Sequence, residues 1–454
     1  MRLPRLMLAG ERSGVGKSTI SIGIMAALKG RGLTVQPFKS GPDFLDPMHH
    51  TQVCGRASRN LDTWMLRDWT PVSFQRAASD ADVSVVEGVM GLYDGLDGRS
   101  EEGSSAHLSK VLGCPVVLVV DASSSARSVG AVVKGFATFD PRVDVRGVIF
   151  NRVASERHLL MLEDAISGTG IASLGGLPKD GGVGLESRHL GLVPALESDN
   201  GGRYALLREL METHLDVDAI VDIAGDTGEW NPVEEPMMER MGRFDLAVAF
   251  DDAFNFYYED NLDIMKDLGA EITTFSPMKD PLPDADGYYF GGGYPELHLD
   301  ALEGNREAME DLLSIIDQGR PVYAECGGMM YLCRKVRGTD GRSHAMVGAF
   351  KADTMMTERC QAIGYTDVLC IKDSLLAKRG QRFRGHVFHY SKVDGCEESD
   401  FAYSLDRKKG AEGPLDGFVR DHTLASYTHV HLGNDIHLGI NWARACLGQH
   451  RQGR

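Results

Sequence analysis

Leu6-Met7-Leu8-Ala9 runs into Gly10-Glu11-Arg12-Ser13-Gly14-Val15-Gly16-Lys17-Ser18-Thr19, and Ile20, Ile22, Ile24, Met25 and Leu28 follow. That order is a short apolar strand, a glycine-rich turn and a helix with a buried face. Backbone N–H groups of such a turn converge on an anion. Lys17 adds a point charge for the outer phosphates, and the Ser18 hydroxyl suits Mg2+. Gly14, Gly16, Lys17, Ser18 and Thr19 are the expected ATP-binding residues. The strict phosphate-loop pattern puts its first glycine where Glu11 stands; here the glycine is one place earlier, at Gly10.

The 454 residues are too many for one core, so two or three domains are expected. A net charge of −17 offers no basic face, which argues against a nucleic-acid or anionic-membrane partner. No apolar run reaches the roughly 20 residues that span a bilayer, and the N-terminal residues enter directly into a strand, so a cytoplasmic location is expected. The eight cysteines form no C-x-x-C pair, which points away from a zinc knuckle or a disulfide framework.

Beyond the first helix, residues 34–39 read as a strand that ends in Ser40-Gly41-Pro42-Asp43-Phe44-Leu45-Asp46. Acids in a loop at the carboxyl edge of an α/β sheet stand where ligands bind. Asp43 is a candidate Mg2+ group and Asp46 a candidate substrate group, with turn-former or helix cap as the plain alternative for each. Residues 83–86 form an apolar strand before Glu87-Gly88, resembling a Walker B arrangement with Glu87 at the metal. Asp94 lies farther along a glycine-rich loop, on the substrate side. Strands at 115–120, 145–150 and 172–177 complete a mostly parallel sheet with helices on both faces. Asn151, at one strand's end, is placed to read the adenine edge, and residues 188–192 are expected beside the nucleotide or in a surface turn.

The boundaries expected are 1–196, a helical connection and linker over 197–243, and a second α/β domain over 244–454. There, residues 251–258 are an aromatic-rich helix start, expected to pack between domains, with a cofactor box as the alternative. Gly291-Gly292-Gly293 at a strand end suits an oxyanion loop. In Ala324-Glu325-Cys326-Gly327-Gly328, an apolar strand turns into a helix through small residues, the shape of a nucleophile elbow. A helix N-terminus behind Cys326 favours the thiolate, and Cys333 is placed on that helix. The required base comes from His386 and His389 or from residues 427–431, where strand alternation sets Tyr427, His429 and His431 on one face. A zinc site is disfavoured, since the two histidine clusters lack a third ligand.

These residues resemble the cobyrinic acid a,c-diamide synthase family (cobyrinate or Ni-sirohydrochlorin a,c-diamide synthases) along almost the whole chain. The resemblance rests on residues 13–18, 37–46, 58–62 and 87–95, on 291–296 and 325–328, and on Tyr427 with His429. It implies an α/β fold with a dethiobiotin-synthetase-like P-loop domain followed by a class I glutamine amidotransferase-like domain. It further implies Cys326 as nucleophile, His429 as its base and Gly292 and Gly293 in the oxyanion loop. The usual acid two residues after the histidine is replaced by His431, which leaves a Cys-His dyad.

The implied reaction is ATP-dependent, glutamine-driven amidation of tetrapyrrole acetates through an acyl phosphate. In it Ser18, Asp43 and Glu87 organise Mg2+, while Phe44, Leu45, Asp46 and Asp94 face the tetrapyrrole. Cobyrinate and Ni-sirohydrochlorin are both open as substrates, and a homodimer is one assembly open to the chain. A reading of another class is a non-catalytic P-loop ATPase regulator, which would have no use for Cys326 in an elbow.

Overall fold

The computed structural model describes residues 1–179, 187–188, 191–192, 201–406 and 413–452. His189 and Leu190, within the segment expected beside the nucleotide, lie outside the described residues. The chain divides into two compact units, Met1–Glu235 and Pro236–Arg454.

The first unit is built on seven parallel strands, β1 (Arg5–Gly10), β2 (Val35–Ser40), β3 (Arg59–Leu61), β4 (Val83–Gly91), β5 (Val116–Asp121), β6 (Val145–Val153) and β7 (Ala172–Pro178), in the order 3-2-4-1-5-6-7. β1 lies between β4 and β5, so its carboxyl end opens at the middle of the sheet, where α/β folds bind ligands. Leu6, Met7, Leu8 and Ala9 are fully buried, as strands covered by helices on both faces must be. Helix α1 (Lys17–Gly30) follows the turn, and helix α2 (Leu45–Cys54) follows β2.

Residues 201–235, within the segment 197–243 expected as a helical connection and linker, belong to this unit. Helices Gly201–His214 and Val217–Gly225 bury Leu207, Met211 and Ile220 in the same apolar cluster as Ile20 and Ile24 of α1. Each such side chain contributes roughly 1.5–3 kcal/mol, which an amphipathic helix pair left bridging two domains would forgo. Trp230 then donates its indole N–H to Gln75 at 2.9 Å, and Arg76 pairs with Glu235 at 2.8 Å. A two-residue pair, β8 (Ser187–Arg188) with β9 (Gly191–Leu192), completes the strands of this unit.

The second unit has strands β10 (Phe244–Ala249), β11 (Ala270–Phe275), β12 (Gly287–Phe290), β13 (Val322–Glu325), β14 (Cys333–Arg337), β15 (Ser343–Ala345), β16 (Phe350–Met356), β17 (Ala362–Cys370), β18 (Arg382–His389), β19 (Ser391–Asp394), β20 (Phe401–Asp406), β21 (Leu415–Arg420) and β22 (Thr423–Ser426). Nine form one sheet in the order 11-10-12-13-22-21-20-17-18. From β11 to β22 the pairing is parallel; beyond β22 it is antiparallel. The other four, ordered 15-14-16-19, make a small mixed sheet.

The helix after Cys326 ends at Leu332, so Cys333 opens β14 instead of lying on that helix. The aromatics of 251–258 precede helix Glu259–Leu268 and pack inside the unit. Phe254 meets Phe290 and Tyr331, and Tyr257 meets Tyr289 edge-on.

Candidate active sites

The turn after β1 wraps into α1 through two glycines in the left-handed region, Gly14 (φ 78°) and Gly16 (φ 96°). Gly16 has a second reason to lack a side chain: a Cβ there would collide with the Asn151 amide. That amide donates to the Val15 carbonyl at 2.7 Å, so Asn151 clamps the turn. Lys17 donates to the carbonyls of Met90 (2.6 Å) and Arg12 (3.3 Å), both replaceable by phosphate oxygens. Burial, with Lys39 nearby, lowers the Lys17 pKa. Glu11, which departs from the strict phosphate-loop pattern, and Arg12 belong to a bracket around the turn. The Asp121 N–H donates to Glu11 Oε1 at 3.2 Å, Arg12 and Arg152 both pair with Asp121, and Arg152 also donates to the Gly14 carbonyl at 3.0 Å.

Beneath the turn, buried charges converge. Ser18 Oγ donates to Glu87 Oε1 (2.8 Å) and to Asp46 Oδ2 (3.2 Å). The Lys39 ammonium donates to the same two oxygens, at 2.6 Å to Asp46 and 2.8 Å to Glu87. His50 Nε2 lies 2.8 Å from Glu87 Oε2. Burial would lower the Lys39 pKa, but the two carboxylates overrule it and raise it. Burial would raise Glu87, yet Lys39 and His50 hold it well below the usual carboxylate range. Asp46 goes the other way, pushed well up by burial and by the Glu87 charge.

The acids expected around the metal and the substrate stand as follows. Asp43 accepts from the N–H groups of Leu45 (2.8 Å) and Asp46 (3.3 Å), the first two residues of α2, and it stands 3.9 Å from Lys39. Asp46, expected on the substrate side, lies beside Ser18 and Glu87. Three hard oxygen donors around an ammonium suit a small divalent cation in their chemistry. Among the described residues no three His, Cys, Asp or Glu side chains form a self-sufficient metal site. A cation here would complete its shell with phosphate and water. Asp94 accepts from the Gly91 N–H at 2.9 Å, shaping the loop after β4, and Leu45 is buried at the start of α2 while Phe44 precedes it.

In the second unit Cys326 sits at φ 47°, ψ −101°, a strained position for a side-chain-bearing residue and the geometry of an elbow. Its N–H donates to the Ser426 carbonyl at 2.7 Å, and its Sγ lies 3.9 Å from the Phe388 carbonyl oxygen. The Gly328 N–H donates to the Gly291 carbonyl at 3.0 Å, fixing the glycine loop to the elbow. A Cβ on Gly292 would stand 2.7 Å from His429 Cε1, so the loop lies flat against the imidazole.

His429 is 2% exposed, with its Nδ1 3.7 Å from Glu325 Oε2. Burial alone would lower its pKa; Cys326 and Glu325 overrule burial and raise it to about 10. A charged imidazole is thereby favoured against the sulfur. His386 exchanges backbone hydrogen bonds with His429 at 2.8 and 3.1 Å, and burial pushes it down to about 3.

The strand expected over 427–431 is absent, because β22 stops at Ser426. Apart from the single backbone bridge of His429 to His386, side chains satisfy the backbone there: Asp416 accepts from Tyr427 and Thr428, Glu325 from Val430 and Asn261 from Leu432. Tyr427, His429 and His431 consequently do not share a strand face. His431 accepts from the Gly433 N–H and stands 3.5 Å from Asp260.

Lys39, His50 and Glu325 were not singled out in the sequence, although it carries a signal for each. Lys39 and Glu325 are charges within apolar strands, and a buried charge requires a partner. His50 lies four residues after Asp46, on the same face of a helix.

Residues 6–192 match the family model described as the CobQ/CobB/MinD/ParA nucleotide binding domain. Residues 245–436 match that of the CobB/CobQ-like glutamine amidotransferase domain. The chain is 42% identical to the cobyrinate a,c-diamide synthase of Streptococcus sanguinis, over 97% of this chain and 98% of that one. It is 39% identical to that of Methanosarcina barkeri, over 94% and 93%. Against that of Caldanaerobacter subterraneus it is 41% identical, over 94% of each.

Proposed function

The chain belongs to the cobyrinate a,c-diamide synthase family, and from that membership we propose that it amidates the a and c acetate side chains of cobyrinate, using glutamine as nitrogen donor and ATP as activator. The observation that carries the reading is that one chain joins a phosphate turn, set over a Ser18–Asp46–Glu87–Lys39 cluster, to a strained cysteine beside a charged histidine.

In the first unit a side-chain carboxylate of the macrocycle attacks the γ-phosphorus of ATP, ADP leaves, and an acyl phosphate forms. Lys17 stabilises charge on the transferring group, and the N–H groups of the turn hold the phosphates. Ser18, Glu87 and Asp46 are the residues that would hold Mg2+, which when bound neutralises charge between the phosphates. Lys39 balances the two carboxylates, and Asn151 keeps the turn in shape. Asp94 and the start of α2, with Phe44 and Leu45, bound the side on which the macrocycle enters.

In the second unit the Cys326 thiolate adds to the glutamine carboxamide, with the oxyanion directed to the loop of Gly292 and Gly293. His429 gives its proton to the departing ammonia, leaving a glutamyl thioester that water hydrolyses to glutamate. Ammonia then attacks the acyl phosphate, phosphate leaves, and the amide is complete.

The test is to incubate the pure protein with MgATP, glutamine and either cobyrinate or Ni-sirohydrochlorin, and to weigh the products. Two carboxyl-to-amide conversions of cobyrinate are expected. Amidation of Ni-sirohydrochlorin alone would move the substrate, and turnover of neither would refute the reading.

A further inference from the structure

Glu325 stands immediately before the nucleophile, on the last residue of β13, and is 1% exposed. Its carboxylate is fixed from three directions. Oε1 accepts from the Tyr323 hydroxyl at 2.6 Å and the Val430 N–H at 2.9 Å, and Oε2 accepts from the Tyr289 hydroxyl at 3.0 Å. Oε2 is also the oxygen that faces His429 Nδ1 across 3.7 Å. We infer that Glu325 is the positioning residue of His429, an acid supplied by the nucleophile's own strand in place of one from the histidine's loop. The inference rests on the reading of Cys326 and His429 as the glutamine-hydrolysing pair.

The loop position two residues past His429 holds His431, turned to Gly433 and Asp260 instead. Among the described residues, the other titratable groups around His429 are Cys326 of the elbow and His386 of β18. His386 is kept neutral by burial, so Glu325, whose Oε2 faces His429 Nδ1 across 3.7 Å, is the carboxylate beside the imidazole. Because Val430 is bonded to the same carboxylate, Glu325 fixes the histidine's loop as well as its ring. When Cys326 attacks, the proton resides on His429; the carboxylate stabilises that imidazolium and stays ionised while the proton passes to ammonia.

A merely structural glutamate would serve the same tyrosines and the same Val430 N–H, so the test must read charge. Glu325→Gln in the full chain keeps an acceptor for Val430 and removes the charge. Glutaminase kcat should fall about 10- to 100-fold with KM for glutamine little changed, and the alkaline limb of its pH profile should move down by about one to three pH units. Ammonium-dependent amidation should persist. Glu325→Asp, with the carboxylate drawn back, should move the limb by an intermediate amount.

A glutamine variant whose limb stays in place overturns the proposal. Should that variant lose ammonium-dependent activity too, the aspartate variant decides, and its unmoved limb is equally contrary. Cys326→Ser separates this inference from the parent reading: residual glutaminase in that variant refutes the parent, whereas a dead Cys326→Ser beside an unaffected Glu325→Gln refutes the positioning role alone.

Discussion

The Lys39 ammonium lies 2.8 Å from Glu87 Oε1, with both side chains almost fully buried beneath the phosphate turn. Asp46 shares the same ammonium at 2.6 Å, so two carboxylates depend on one internal cation. Lys39→Met should therefore destabilise the fold by about 3–5 kcal/mol, the cost of an uncompensated buried charge. Denaturant unfolding measures this. Lys39→Met combined with Glu87→Gln should recover part of the loss, since one anion is removed with the cation. A single-variant loss below about 1 kcal/mol, the range of an exposed ion pair, would contradict the arrangement.

Cys326→Ser separates the two chemistries. Glutamine-dependent amidation should vanish while amidation with added ammonium persists, followed as amide formed per ATP consumed. Loss of both activities in a folded variant would refute the division of labour.

Gly292→Ala places a methyl group against the His429 ring. A displacement of about 1 Å at a reacting group costs on the order of a hundredfold, so glutaminase should fall by that order while ammonium-dependent turnover is spared. Wild-type glutaminase in this variant would put the loop elsewhere during catalysis.

Stability should depend on pH at both ends, with opposite signs for two buried histidines. The folded pKa of His429 is raised from 6.5 to about 10, so its contribution is full below pH 6.5 and lost as pH rises through about 10. His386 is lowered from 6.5 to about 3; its contribution is present above pH 6.5 and lost as pH falls toward 3. Urea unfolding of the wild type should show a plateau flanked by two declines, each on the order of a few kcal/mol. His429→Asn should flatten the alkaline decline and His386→Gln the acid one. Unchanged slopes in either variant would contradict the assignment.

Strands β1, β4, β5 and β6 were legible because each carries an apolar run, as at Leu6-Met7-Leu8-Ala9 and Val83 to Val86, whereas β3 (Arg59–Leu61), short and polar, was not read as a strand. The elbow was legible from Cys326 between an apolar strand and two glycines. What escaped was set by partners distant in sequence. Asp43 and Asp46 look equivalent in the loop, and only the meeting of β2 with β4, which brings Lys39 beside Glu87, decides which acid is buried. The loop of His429 reads as a strand by alternation, but Asp416, Glu325 and Asn261 take its backbone donors. Helix Gly201–His214 reads as a connector because periodicity shows that a face is apolar, not which surface it covers.

The central claim is that phosphate is sent to a macrocycle carboxylate before nitrogen arrives. Cobyrinate labelled with 18O in its acetate carboxylates, turned over with MgATP and glutamine, tests it through mass analysis of the released phosphate. The account predicts that each amide formed is matched by an 18O atom in inorganic phosphate. Amide formation with unlabelled phosphate would contradict it.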